Sequence, residues 1–235
     1  MATSPVNSTT SNTTYTPVTT AEFAALDSSA VSKLSTTTIS TLTAEQLSKI
    51  SPDALTGISS TQLSALPTGL IGSISTDQLV ALGSKQLAGL TTGTSGQIRA
   101  LSANQIKALN TEQVSGLGSA QIASLSNAQT ASLLPDQIPF LSLTSIAALS
   151  TGQIQAMTSQ QFSALSTAQL RSLTPVQLVE IENSDLLALN EEQVSALSET
   201  QVAALTSSQV ATLLTRSEEH TSELQSRVDI SYAVF

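Results

Sequence analysis

The chain has no cysteine and no tryptophan, and only one histidine, four phenylalanines and two tyrosines among 235 residues. Without cysteine there can be no disulfides, thiolate metal sites or cysteine nucleophiles, and an uncrosslinked chain suits a reducing or an oxidising compartment equally. Charge is also scarce: charged residues are 11%, with eight Lys and Arg against seventeen Asp and Glu, for a formal net charge of −9. A nucleic-acid binder needs clustered cations facing phosphates, so nucleic acid is not expected as a partner. No run of 18 apolar residues occurs, so no membrane span is expected. The opening MATSPVNSTTSNTTYTPV has neither the basic nor the apolar region of an amino-terminal export signal. Hydrophobic residues nevertheless reach 40% and the mean hydropathy is +0.16, the reverse of what keeps a chain disordered, so most of it is expected to fold.

What the sequence does contain is a period of eight. Octads of the form S/T-x-x-Q-h-x-x-L, such as Ser166 to Leu173 and Thr174 to Ile181, run nine times over 19–90. A three-residue insert follows at 91–93, and fifteen more octads cover 94–213. They are numbered 1–24 here. Position 8 is Leu, Ile or Met in all 24, position 5 is apolar in 23 with Thr130 the exception, and position 4 is Gln in 17. Position 1 is Ser, Thr, Asn or Asp in 19, and position 7 is Ala, Gly, Ser or Thr in 20.

A Ser or Thr followed three residues later by Gln is the capping box of a helix start, so each octad predicts a new helix. Pro52, Pro135 and Pro175 fall at position 2, the first helical residue, where a missing N–H costs nothing. One continuous helix is excluded, because eight residues at about 100° each turn the apolar stripe by roughly 80° per repeat. A strand is excluded because positions 5 and 8 would face opposite sides. The expected fold is therefore all-α: a solenoid of very short capped helices, one per octad, each about seven residues or roughly 10 Å long. Isolated helices of this length are unstable, so stacking must supply the energy, at about 1.5–3 kcal/mol per buried side chain. Small residues at position 7 imply close approach of neighbouring helices. Gln in place of Glu at position 4 implies a partly buried column of amide hydrogen bonds, where a charge would be costly.

Three places depart from the template. The insert Thr91-Thr92-Gly93 is expected to bulge or kink the stack. Residues 126–141, with Thr130 in a core column, Leu134 at a cap and Pro139 inside a helix, are expected to open first. Pro67 to Ile74 lacks both the cap hydroxyl and the Gln. Residues 1–18 read as a flexible Ser/Thr/Asn-rich lead-in, where the two glycosylation sequons at Asn7 and Asn12 are near chance. Residues 214–235 read as a non-native tail. Within it, Arg216 to Ser226 are, codon for codon, what a standard sequencing adapter encodes, and Ile230 to Phe235 match the constant stretch that follows the adapter's index. On that reading His220 is foreign, the natural part keeps six basic and thirteen acidic residues, and the gene is expected to continue past Thr215.

No catalytic, cofactor-binding or metal-binding residues are expected. The serines occupy caps with no natural histidine beside them, and there is no glycine-rich phosphate loop. The acidic residues Glu180, Glu182, Asp185, Glu191, Glu192 and Glu199 lack a calcium-loop pattern and are read as a solvated face. The octads, for instance ALSTAQL, ALNTEQV and ALSETQVAALTSSQV, resemble the Gln/Leu-rich octapeptide arrays of long bacterial surface or secreted proteins over residues 19–213. That resemblance implies a bacterial, exported setting and no catalytic residues. The expected function is a structural spacer or scaffold within a larger exported protein, and not an enzyme. The alternative is an adhesin-like solenoid that binds a peptide or protein, which calls for an aromatic or charged outer column. The natural aromatics are few: Tyr15, Phe23, Phe140 and Phe162.

Overall fold

A computed structural model describes residues 19–215. The lead-in assigned to 1–18 and the tail from Arg216 onward lie outside the described residues. Between Thr20 and Ala204 run twenty-one α-helices of four to six residues and two 3-10 segments, Gln97–Ala100 and Pro135–Phe140. A further helical stretch covers 207–215. The protein is an all-α solenoid with one helical element per octad.

Each helix starts and stops for reasons visible in one octad. Ser166, at position 1, is extended (φ −70, ψ 158) and its hydroxyl accepts from the Gln169 N–H, while Leu173, at position 8, is again extended (φ −64, ψ 135). The Leu173 N–H donates to the Leu170 carbonyl at 3.1 Å, which closes the last turn. Two consecutive extended residues, position 8 and the next position 1, make corners such as Leu66 to Pro67, Leu101 to Ser102 and Leu173 to Thr174. The helices are thus shorter than the seven residues expected, because position 8 leaves the helix to reach the core. Position 8 and position 5 of the following octad occupy the two places of a hydrophobic staple, so one octad combines capping box and staple. Among the described residues only Gly93 has a positive φ, at 92°, so the corners need no glycine.

Positions 5 and 8 form one continuous core from Phe23 to Leu189. Packing runs from each helix to the one three octads on: Thr20–Ala24 lies against Ala44–Lys49, and Ser159–Ser163 against Asn183–Ala188. Position 7 of one octad meets position 2 of the octad three before it. A Cβ built on Gly57 would lie 1.9 Å from the Ser28 carbonyl oxygen, and one on Gly89 2.3 Å from that of Ser60. Backbone contact at this corner is why the column is small.

The irregular octads are accommodated. Thr130 is 1% exposed in the core column, with its hydroxyl directed to the Ser126 carbonyl at 3.2 Å and contacted by Gln153 Nε2 at 3.2 Å. Its polar atom is therefore satisfied. Pro139, whose ring would clash with the carbonyl four residues back in an α-helix, sits in the 3-10 segment. At the insert the cap moves rather than the core. Thr91 Oγ1 accepts from the Gln97 N–H, and Gln97 Oε1 accepts from the Thr91 N–H, both at 3.0 Å and across six residues instead of three. The extra residues loop outward around Gly93, whose N–H donates to Ser124 Oγ at 2.9 Å. The insert bulges as expected, but the register of the core continues through it.

Candidate functional site

The chemistry of the array is concentrated in the position-4 glutamines. Gln169 makes four bonds. Its N–H donates to Ser166 Oγ at 3.2 Å and its Oε1 accepts from the Ser166 N–H at 2.9 Å. Its Nε2 donates to the carbonyls of Ile138 and Leu141, both at 2.8 Å, 31 and 28 residues back. Those carbonyls belong to positions 5 and 8 of the octad four before. The same pattern holds at Gln78, Gln105, Gln129, Gln177 and Gln209. It recurs from Gln62 onward wherever the column holds Gln. Helices pack three octads apart and glutamines reach four octads back, so one superhelical turn takes between three and four octads.

This geometry explains the residue. A glutamine carries one acceptor and two N–H donors on a single amide, enough for the box and for two carbonyls of the previous turn. Glu would lose both donors and bury a charge, and Asn is one methylene short. The column of amide bonds expected from sequence exists, but its acceptors are backbone carbonyls rather than other glutamines. No buried side-chain polar atom among the described residues lacks a partner.

The column is interrupted at Ala54, Leu70, Ser145 and Asp185. Asp185 is the chemically distinctive case, 5% exposed and accepting from Ser159 Oγ at 2.6 Å. Burial pushes its carboxyl above the usual carboxylate range; the Ser159 bond opposes that shift and the Glu182 charge adds to it. Asp185 thus leaves the solvated face to which the acidic cluster was assigned. Glu180 is contacted by Gln155 Nε2, while Glu191, Glu192 and Glu199 are exposed. No group of three or more carboxylate, histidine or cysteine residues among the described residues is placed to hold a metal ion. No helix among them is long and apolar enough to cross a membrane.

Of the aromatics, Phe23 and Phe162 are core residues, whereas Phe140 is 47% exposed, as are Leu134 and Leu143 of the same stretch of chain. Tyr15 lies outside the described residues.

Fold and glutamine column together define an α-solenoid of capped octads, a repeat array held turn to turn through its own backbone. Residues 94–127, 144–175 and 178–215 match the family model of the ALTTAQ repeat. The six letters of that name read positions 7, 8, 1, 2, 3 and 4 of the octad, as in Ala164 to Gln169. The stretch 128–143 between the first two matches carries Thr130, Leu134, Pro139 and Phe140. No curated protein matches the chain.

Proposed function

We propose that the array is a spacer or scaffold module of a larger, exported bacterial protein, with no catalytic activity of its own. The observation that carries this reading is the locality of its bonds. Helices pack on those three octads away and the glutamines bond four octads back, across 28 to 34 residues, so length can be varied without rebuilding a central core. The few charges and the small, polar outer columns suit a module whose product is extent. The adhesin-like binding reading draws on the exposed apolar side chains of Leu134, Phe140 and Leu143. Residues 216–235 we assign to adapter sequence rather than to the gene; amplification and sequencing of the source locus through the Thr215 codon tests this, and genomic codons for RSEEHTSELQS would overturn it.

The test of the spacer reading is small-angle scattering and thermal melting of chains lacking one, two or four octads from 150–213. The expected result is a maximum dimension that falls in proportion to the octads removed, with cooperative melting retained. Collapse on removing one octad would overturn it, as would a melting temperature raised several degrees by millimolar calcium.

A further inference from the structure

The glutamine column has one buried member that can change its charge. Of its interruptions, Ala54 and Leu70 are apolar, and Ser145 is neutral, its hydroxyl bonded to that of Ser142 at 2.8 Å. Asp185 alone among the four can titrate. In the register kept by Gln177 and Gln193 on either side of it, a glutamine there would take the carbonyls 31 and 28 residues back, those of Ile154 and Met157. The Ile154 carbonyl accepts from the Met157 N–H at 3.1 Å, but among the described residues no side chain donates to it or to the Met157 carbonyl. The carboxyl is held from the helix Ser159–Ser163 instead, where Ser159 Oγ donates to Oδ1 at 2.6 Å.

The charges around this joint are all of one sign. Helix Ser159–Ser163, octad 17 (150–157) and the stretch 207–215, which Asn183 Nδ2 joins through Ser208 Oγ, carry no charged residue. Glu182 in the same octad acts on the carboxyl, Glu180 is contacted by Gln155 Nε2, and Glu191 and Glu192 are exposed. No Lys, Arg or His lies in 150–165 or 172–215, so no cation there offsets an ionised Asp185.

We propose that Asp185 is a proton-operated joint: with its carboxyl neutral, octad 21 (182–189) is held to octads 17 and 18 as its neighbours are, and with it ionised that hold is released. An ionised carboxyl can only accept, and the octad-17 carbonyls can only accept; a proton turns one carboxyl oxygen into a donor and removes the buried charge. The upward displacement of the carboxyl's affinity for its proton agrees with this. The hold is therefore complete below the unfolded pKa and is lost as pH rises through the folded one. Acid stiffens the array between residues 94–181 and 182–213, and neutral pH loosens it there. Ser145 marks the contrast: its octad also lacks the two amide donors, but has nothing to titrate.

The test is hydrogen exchange of the full chain, with intrinsic rates divided out, followed from about pH 3.5 to about pH 8, a range that brackets the unfolded carboxyl pKa. Opening of octads 17, 18 and 21 is expected to quicken by about tenfold or more as pH rises, while octads 12 and 16, which meet at Ser145, change little. Asp185→Gln is expected to stay protected throughout by taking both carbonyls, and Asp185→Asn, closest in size, to lose the pH dependence. Ser159→Ala removes a bond that favours the ionised form, so the midpoint is expected to move to higher pH. The proposal is overturned if the parent shows no pH dependence at this joint, or the same dependence at octads 12 and 16. Persistence of the dependence in Asp185→Asn, or a Ser159→Ala midpoint that stays or falls, also overturns it.

Discussion

At the scale of single residues the glutamine at position 4 is where sequence and structure part company. Its capping role was legible from the three-residue spacing to Ser or Thr, because both partners lie in one octad. Its second role was not, because the acceptors are backbone carbonyls, which every residue has and no residue type announces. The consequence is measurable at Gln169, which is 2% exposed. Gln169→Glu removes two inter-turn donors and buries a charge, and is expected to destabilise by about 2–4 kcal/mol in urea or guanidinium unfolding. Asp185 gives a prediction with a sign in pH. Its carboxyl holds a proton more tightly folded than unfolded. The stability it contributes is therefore fully present below the unfolded pKa and is lost as pH rises through the folded one. Melting curves of the Asp185→Asn variant and the parent chain are expected to differ most near neutral pH and to converge as pH falls below the unfolded pKa. A pH-independent difference would count against a titrating Asp185.

At the scale of the element, the octad is a helix start, a core pair and a corner, all written in adjacent residues. That is why helix positions and the two core columns could be placed from the sequence. Helix ends were placed one to three residues too late, since the pull of position 8 into the core belongs to the neighbouring turn. Close approach at position 7 yields opposite outcomes for one type of substitution. Gly57→Ala forces a methyl onto the Ser28 backbone and is expected to cost about 1–3 kcal/mol. Gly69→Ala, with nothing within 4 Å of the new atom, is expected to be neutral or to stabilise by up to about 1 kcal/mol. Thermal melts of the pair check both. The insert supplies another case. Deleting Thr92, Gly93 and Thr94 leaves Thr91-Ser95-Gly96-Gln97, a capping box at ordinary spacing. Its melting temperature is expected to be unchanged or higher, and a large fall would mean that the Gly93 contact with Ser124 is needed.

At the scale of the whole molecule, the all-α solenoid was readable because a repeat with caps every eight residues admits neither a long helix nor a strand. The pitch was not, because the number of octads per turn depends on how position 7 meets position 2 and on how far a glutamine reaches, and both contacts bridge segments about thirty residues apart. That pitch makes the array behave as a thread. Since a turn takes between three and four octads, each octad gained or lost changes the length and also rotates everything beyond it by a quarter to a third of a revolution. Residues such as Phe140 and Leu143 therefore keep their compass bearing relative to a distant segment only when octads are exchanged in groups that complete whole revolutions. A lineage that drifts by single octads re-aims whatever lies past the change, so in such a protein reach and bearing are inherited as one quantity.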